Sequence, residues 1–270
     1  MGRLGIIAGG GSLPRRIADV SRSSGRDVFI VAFEGQTDAE TIEGLDHEWF
    51  KLGAMAAPLK RMASHGVDEV VMAGPMRRPA WSEMSIDFRG TKMLARGGRR
   101  AFGDDGLLSL IVEELEHDGF RVLGIDDVLG DFIVPAGTIA GEIPDETAQE
   151  DITRGVEVLQ RIGAADVGQA VAVQQGLVLA VEAVEGTDQM ISRAGALKRE
   201  GLGPILIKLR KPGQERRADL PTIGPDTVEC AANAGFRGIA VEGDGSLIVD
   251  REALCEVANN RDLFVVAIEI

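Results

Sequence analysis

The residues best suited to chemistry lie in one stretch of the second half of the chain, residues 208–224, where cations, an amide, carboxylates and a threonine stand between apolar segments. Pro221 favours an extended conformation at the residue before it, so Asp219 should lie in a stiff extended piece and not in a helix. A fixed carboxylate beside phosphate-binding cations can activate water or hold a metal ion. We interpret this stretch as a site built around Asp219; a charged solvent loop is the alternative.

A glycine-rich turn between the first strand-like run and the first helix-like segment is a second candidate. Its backbone N–H groups, at Gly10, Gly11, Ser12 and Leu13, could bind phosphate at a helix N-terminus. The turn half-matches the dinucleotide fingerprint G-x-G-x-x-G, but proline replaces the last glycine. Glu34 follows the second strand-like run, where a ribose-binding acid would lie. A plain turn with Ser12 as the N-cap is equally compatible with this pattern.

Two acidic turns are further candidates. Asp104 and Asp105 precede an amphipathic segment, where adjacent carboxylates could hold Mg²⁺ or could complement the helix dipole as first-turn acids. The motif alone favours the capping interpretation. Glu185-Gly186-Thr187-Asp188 follows a strand-like run, and its amides could bind an anion. The default interpretation is a strand-to-helix turn in which Thr187 caps the next helix.

Charge is distributed unevenly along the chain. The net charge is −14, which disfavours nonspecific binding to nucleic acid. Residues 75–100 nevertheless carry seven cations and two acids. This basic segment, which includes Arg89, could hold a diphosphate or meet anionic lipid headgroups beside Trp81 and Met84. A solvated loop whose arginines pair with neighbouring acids is the alternative. The three histidines have no zinc spacing, which argues against zinc or triad chemistry.

The order of apolar segments predicts an α/β fold. Runs such as Val28–Phe33 are typical of buried strands, and they alternate with amphipathic segments in the first half of the chain. This alternation predicts a Rossmann-like parallel-sheet domain at residues 1–134. Residues 135–146 are rich in proline, glycine and small polar residues and are predicted to form a linker. Residues 147–270 are predicted to form an α+β domain with a mixed sheet, including a hairpin at Gln174-Gln175-Gly176.

Several motifs lie in order along nearly the whole chain: residues 4–11 with Leu13-Pro14, Ala73-Gly74, Arg89-Gly90, Gly103-Asp104-Asp105, residues 176–183, residues 185–188, and residues 214–217 with 219–224. The blocks at 185–188 and 219–224 are the most specific. Together these motifs resemble one family, the LpxI-type UDP-2,3-diacylglucosamine diphosphatases of lipid A biosynthesis.

The resemblance implies a Rossmann-like N-terminal domain, a distinct C-terminal domain and Mg²⁺-dependent attack of water on the α-phosphorus of UDP-2,3-diacylglucosamine. The products would be UMP and 2,3-diacylglucosamine 1-phosphate (lipid X). The family's important aspartate corresponds to Asp219, and Mg²⁺ is expected on Asp219 and Asp104. The substrate-binding residues expected from the matching motifs and the cations are Gly10, Gly11, Ser12, Leu13, Gly74, Arg89, Asp104, Asp105, Glu185, Gly186, Thr187, Asp188, Lys208, Gln214 and Thr222.

Two other functions stay open at the level of sequence: an NAD-dependent oxidoreductase that uses the glycine turn and Glu34, and a non-catalytic carrier of lipids or nucleotide sugars. Neither a signal peptide nor an apolar stretch of about 20 residues is recognisable, so we expect a cytoplasmic protein. Transient contact with the cytoplasmic face of the inner membrane and a homodimer are further expectations, whereas no nucleic-acid partner is expected.

Overall fold

The computed structural model describes residues 2–77, 84–98, 101 and 103–270, apart from the side chains of Asp104 and Asp131. The chain divides into two compact units. The first unit comprises residues 1–130 together with the short segment Glu215–Asp219, and the second comprises residues 131–214 and 220–270. Glu215–Asp219, which contains the main candidate carboxylate, thus belongs to the first unit although it lies far along the chain.

The first unit is built on a parallel sheet. Its strands are β1 (Arg3–Ala8), β2 (Val28–Phe33), β3 (His47–Phe50), β4 (Val67–Ala73) and β5 (Arg121–Leu123), in the order β3-β2-β1-β4-β5. Its helices are α1 (Leu13–Ser23), α2 (Ala39–Ile42), α3 (Ala56–Ser64), α4 (Phe88–Gly97), α5 (Asp104–His117) and α6 (Ile125–Val128). Every residue of β2 is buried, as its uninterrupted apolar run predicts. The predicted Rossmann-like parallel sheet is confirmed.

The second unit contains a mixed sheet. Its strands are β6 (Gly137–Ala140), β7 (Ala170–Gln174), β8 (Leu177–Val181), β9 (Ile205–Lys208), β10 (Thr222–Ile223), β11 (Gly238–Glu242), β12 (Leu247–Ile248) and β13 (Phe264–Ile268). The main sheet has the order β6-β13-β11-β9-β7-β8, and β10 pairs with β12. Strands β9, β11 and β13 are mutually parallel, whereas β6, β7 and β8 join antiparallel. The predicted mixed sheet is confirmed.

Four helices pack against this mixed sheet: α7 (Glu146–Gly163), α8 (Thr187–Ala196), α9 (Pro225–Asn233) and α10 (Arg251–Asn260). Apolar side chains from α8, α9 and α10 share one buried cluster with β11 and β13. The apolar stripe of α7 forms a second buried cluster with apolar side chains of β7 and β9. In the described part of the chain, no helix combines the length and the apolarity needed to cross a membrane.

The predicted hairpin between β7 and β8 is confirmed. Gln175 and Gly176 form its turn with φ of 50° and 76°, the left-handed values that a two-residue hairpin turn requires. The buried carboxylate of Asp151 accepts hydrogen bonds from the N–H groups of both turn residues, at 3.0 Å and 2.6 Å. The turn is therefore fixed from outside the hairpin as well as by its own sequence.

The stretch predicted as a linker contributes a strand. Within residues 135–146, β6 pairs antiparallel with β13 at the edge of the second unit's sheet. The N-terminal end of α7 also lies here, where Asp145 caps the helix by accepting a hydrogen bond from Ala148 N–H at 2.7 Å. The predicted domain boundaries themselves stay a prediction.

Candidate active site

Three of the predicted binding residues converge in the second unit. Lys208 ends β9 and is buried, with 8% of its surface exposed. Its Nζ donates hydrogen bonds to Thr187 Oγ1, at 3.1 Å, and to the carbonyl oxygen of Thr222, at 3.0 Å. These residues come from a strand end, a helix start and the short strand β10. The fold thus brings three separate sequence motifs to one ammonium group.

Thr187 does not cap helix α8, so that prediction is wrong. The helix begins at Thr187, and Gly186 occupies the N-cap position with φ of 83°, a left-handed conformation that glycine adopts readily. Because Thr187 is already helical, its hydroxyl points elsewhere and donates to Glu182 Oε1 at 2.7 Å. Glu182 is buried and accepts a second hydrogen bond from Gln169 N–H at 3.1 Å. Glu182 lies in the matching block 176–183 but was not among the predicted binding residues.

The acids of the 185–188 block differ in their surroundings. Glu185 accepts a hydrogen bond from Ala183 N–H at 3.1 Å and pairs with Arg193 of α8. Its own backbone N–H and then Arg193 hold the pKa of Glu185 below its usual value, so this carboxylate stays ionised. Asp188 is exposed in the first turn of the helix. Asp188 is therefore accessible and Gly186 is half-buried, whereas Glu185 forms an ion pair.

Gln214 closes the turn that follows β9. Its side chain is buried, and its Oε1 accepts a hydrogen bond from Lys211 N–H at 2.9 Å. The nearby Lys211 ammonium pairs with Asp166. In this geometry Gln214 shapes the turn between Lys208 and the segment that leads to Asp219.

The segment Glu215–Asp219 is held by the first unit. Glu215 N–H donates to Asp105 Oδ1 at 2.9 Å, and the Glu215 carbonyl accepts from Ala218 and Asp219 N–H, at 3.0 Å and 3.1 Å. Asp219 lies outside any helix, as predicted, and directly follows a turn at residues 216–218. It is half-buried. Asp105 lies in the first turn of α5, as predicted, but its side chain supports the segment that contains Asp219 and does not cap the helix.

The two arginines of this segment are engaged in ion pairs. Arg216 pairs with Asp126 at 3.1 Å, and Arg217 pairs with Glu215 at 2.9 Å and with Glu116 at 2.6 Å. Hydrogen bonds from Arg217 hold the pKa of Glu215 below its usual value. The cations next to Asp219 therefore stabilise the segment, and a phosphate would compete with carboxylates for them.

The three glycines of the turn after β1 donate their N–H groups to other parts of the first unit. Gly9 N–H donates to Ala73 O at 2.7 Å, Gly10 N–H to Pro75 O at 2.9 Å, and Gly11 N–H to the carboxylate of Asp38 at 2.7 Å. A phosphate at Gly11 would have to displace Asp38. The structure places Ser12 at the N-cap position of α1 without a side-chain capping bond, and Leu13 begins the helix.

Gly74 has a packing reason to be glycine. Its φ is 89°, and a Cβ at this position would collide with the carbonyl oxygen of Gly10. The turns that follow the neighbouring strands β1 and β4 thus touch backbone to backbone. Any substrate-binding role of Gly74 comes in addition to this contact.

Arg89, near the start of α4, belongs to an ion-pair network within the first unit. Its guanidinium contacts Glu114 at 2.7 Å and Asp118 at 2.6 Å, and Arg96 also pairs with Glu114. Burial of Glu114 opposes its ionisation, but hydrogen bonds from Arg89 and Arg96 outweigh burial and keep the pKa of Glu114 below its usual value. This geometry matches the alternative in which arginines of the basic segment pair with neighbouring acids.

Asp87 is a residue whose role the sequence did not reveal. Its Oδ1 accepts Gly90 N–H at 2.8 Å and so caps α4, while its Oδ2 accepts the N–H groups of Met55 and Ala56 at 2.8 Å. One carboxylate thereby caps the starts of both α3 and α4. In the sequence, Asp87 stands three residues before Gly90, a spacing that fits an N-cap of α4. Nothing in that spacing indicates the cap on α3.

Parts of the predicted site lie outside the described residues. They are the side chain of Asp104 and, from the basic segment, Arg78, Trp81, Arg99 and Arg100. Within the described part of the chain, no three His, Cys, Asp or Glu side chains come together as a set that could hold a metal ion. A cage made only of protein ligands is thus not present among those residues.

The fold combines a parallel sheet of Rossmann-like order with a second, mixed sheet. A buried lysine lies among hydroxyl and carbonyl oxygens. These features are typical of an α/β enzyme that acts on phosphate-containing substrates. The family model of the LpxI N-terminal domain matches residues 3–132, and that of the LpxI C-terminal domain matches residues 135–266. The chain belongs to the LpxI family.

A curated relative supports the same assignment over the full length. The UDP-2,3-diacylglucosamine pyrophosphatase LpxI of Caulobacter vibrioides is 37% identical over 280 aligned positions, which cover 100% of this chain and 98% of the relative. An oxidoreductase or a carrier receives no support from these matches.

Proposed function

We propose that this chain is an enzyme of lipid A biosynthesis that hydrolyses UDP-2,3-diacylglucosamine. Water attacks the α-phosphorus, the bond between that phosphorus and the bridging oxygen breaks, and UMP and 2,3-diacylglucosamine 1-phosphate leave. The observation that carries this proposal is the 37% identity along the whole chain to a relative named as this pyrophosphatase. Agreement of both LpxI family models over nearly all residues supports it.

Asp219 is the proposed catalytic carboxylate. The backbone next to Asp219 is fixed by the turn that begins at Glu215 and by the hydrogen bond that Glu215 N–H donates to Asp105. The carboxylate is therefore positioned before the reaction begins. A fixed carboxylate can accept a proton from water as the water attacks phosphorus. Its half-buried position limits, but does not abolish, access of water.

Lys208 is the proposed phosphate-binding cation of the second unit, with Thr187 and Thr222 as its neighbours. Its ammonium is held at a defined place by two oxygen atoms, and charge that is placed in advance stabilises charge that develops on a phosphate during cleavage. Gly186 and the accessible Asp188 suit contacts to the sugar and its headgroup. Arg89 and the glycine turn are retained as proposed binding groups whose present partners, Glu114 and Asp38, would be exchanged for phosphate.

Mg²⁺ is the proposed cofactor, with Asp219 and Asp104 as its protein ligands. Magnesium is typically bound by one or two carboxylates together with substrate phosphates, so the lack of a larger carboxylate cluster among the described residues is compatible with it. When bound, the ion would neutralise charge on the diphosphate. Chelation should then remove activity, and added Mg²⁺ should restore it.

Replacement of Asp219 tests the assignment of this carboxylate. Asp219→Asn keeps the shape but loses the negative charge that either role, base or Mg²⁺ ligand, requires, and we expect turnover to fall by at least about 100-fold. Asp226→Asn is a matched control, because Asp226 is an exposed first-turn acid of α9. Wild-type turnover by folded Asp219→Asn would remove Asp219 from the mechanism without removing the proposed reaction.

A further inference from the structure

We propose that Glu182, a residue outside the set assigned above, positions the ammonium of Lys208 through the hydroxyl of Thr187. The inference rests on the proposed phosphate-binding role of Lys208. Glu182 follows β8, Thr187 begins α8 and Lys208 ends β9, so each member of the chain of contacts lies at the end of a regular element of the same unit.

Hydrogen-bond chemistry fixes the direction of this chain. A lysine ammonium can only donate, so Thr187 Oγ1 accepts from Lys208 Nζ at 3.1 Å. The single hydroxyl hydrogen of Thr187 then goes to Glu182 Oε1, which lies 2.7 Å away. An ionised carboxylate can only accept, and this orients the oxygen of Thr187 towards Lys208.

The other oxygen of Glu182 is also engaged. Its Oε2 accepts Gln169 N–H at 3.1 Å, which fixes the rotation of the carboxylate. At the neighbouring position a Cβ on Gly168 would collide with the carbonyl oxygen of Glu182, so the two backbones touch closely. The carboxylate is therefore held by a main-chain donor, and the backbone of Glu182 is fixed by its close approach to Gly168, both independently of Lys208.

Burial of Glu182 and Lys208 explains why these contacts are needed. Glu182 has 7% and Lys208 has 8% of its surface exposed. A buried charge is costly unless hydrogen bonds and an opposite charge offset the loss of water. A network that contains both a carboxylate and an ammonium meets this requirement and holds the side chain of Lys208 in one place.

Glu182→Gln is the variant that reverses the chain of contacts. An amide has one accepting oxygen and one donating NH₂ group, so NH₂ must face either Gln169 N–H or the Thr187 hydroxyl. In the first arrangement, the NH₂ group and the Gln169 N–H are two donors that face each other without an acceptor. In the second, Thr187 Oγ1 receives two donors and must turn its own hydrogen away. Either outcome disturbs the position of the Lys208 ammonium.

The test is a double-mutant cycle measured as UMP release from UDP-2,3-diacylglucosamine by the full chain. We expect Glu182→Gln and Lys208→Met each to lower kcat/KM by about tenfold or more, with the same division of the loss between kcat and KM. Adding Glu182→Gln to Lys208→Met should cost less than about twofold more, because the group that Glu182 positions is already gone. Glu229→Gln, an exposed ion-paired glutamate of α9, should leave the rate unchanged.

Thr187 supplies a second test, should Glu182→Gln fail to fold. Thr187→Val removes the hydroxyl but keeps the shape, and should lose more activity than Thr187→Ser, which keeps the hydroxyl. Wild-type activity of Glu182→Gln beside an impaired Lys208→Met would overturn the inference and leave the proposed function intact. The inference would also be overturned if the losses of kcat/KM in the two single variants multiplied in the double variant. Equal losses of activity in Thr187→Val and Thr187→Ser would overturn it as well. Wild-type activity of Lys208→Met would instead overturn the proposed role of Lys208.

Discussion

The side-chain Oδ1 of Asp105 lies 2.9 Å from the backbone nitrogen of Glu215 and accepts its hydrogen bond. This bond joins residues 110 positions apart within the first unit. Because the Glu215 carbonyl in turn accepts the N–H of Asp219, a single carboxylate at the start of α5 supports the segment that contains the proposed catalytic residue.

Replacement of Asp105 should therefore act through geometry. Asp105→Asn keeps an oxygen that can accept from Glu215 N–H, whereas Asp105→Ala removes it. We expect turnover to fall about tenfold in Asp105→Ala and clearly less in Asp105→Asn, as measured by UMP release. Equal, severe losses in both variants would contradict this account and would indicate that the charge of Asp105 is itself required.

The contact between the turns after β1 and β4 predicts a sharp difference between two glycines. Gly74→Ala must place a Cβ against Gly10 O at φ of 89°, whereas Gly66 has φ of 71° and open space around its missing Cβ. Gly66→Ala should cost only backbone strain, about 1 kcal/mol of unfolding free energy, and Gly74→Ala should cost at least about 2 kcal/mol. Urea denaturation measures both, and equal costs would show that the contact is not tight.

The buried Glu114 predicts part of the acid sensitivity of the first unit. Its pKa in the folded protein lies below the usual value of 4.5, so its ion pairs stabilise the fold above that pH. That contribution is lost as pH falls through the lowered folded pKa. Glu114→Gln should cost about 2 kcal/mol at pH 7 and show a shallower loss of stability on acidification. Exposed Glu40→Gln is the control, and an unchanged pH dependence in Glu114→Gln would contradict the prediction.

Membrane contact is proposed to involve the basic segment. Arg77 is exposed, and Phe88 at the start of α4 is 87% exposed, which offers a cation and an aromatic ring to a lipid surface. Neutralising Arg77 and Arg78 together should weaken binding to vesicles that contain anionic lipid, and Phe88→Ser should weaken it further. Co-sedimentation at low salt measures this binding. Equal sedimentation of all variants would remove this segment from membrane contact.

Strands with uninterrupted apolar runs were predictable because burial on both faces leaves that pattern in the sequence. The segment Val28–Phe33 has the same bounds in the structure as in the prediction. Strand β3 was missed because it is a strand of only four residues at the edge of the sheet, His47–Phe50, in which polar and aromatic residues do not alternate. Strand β6 was missed because its pairing with β13 depends on residues more than 100 positions away.

The candidate site was predictable as a set of residue types but not as a set of contacts. Lys208, Thr187 and Thr222 were selected from separate motifs, and only the fold shows that they meet. Glu182 lies in the matching block 176–183 but was not selected as a site residue, because nothing in that block indicates its contact with Thr187. The carboxylate of Asp38 on the glycine turn was equally invisible, since 27 residues separate it from Gly11.

Hydrolysis of UDP-2,3-diacylglucosamine in water enriched in ¹⁸O, followed by mass spectrometry of both products, tests the proposed function most directly. Attack on the α-phosphorus predicts one ¹⁸O atom in UMP and none in 2,3-diacylglucosamine 1-phosphate, and Asp219→Asn should form UMP at least about 100-fold more slowly. Label in the sugar phosphate would contradict the assignment of the attack to the α-phosphorus. No cleavage by the folded wild-type protein with Mg²⁺ present would contradict the proposed function itself.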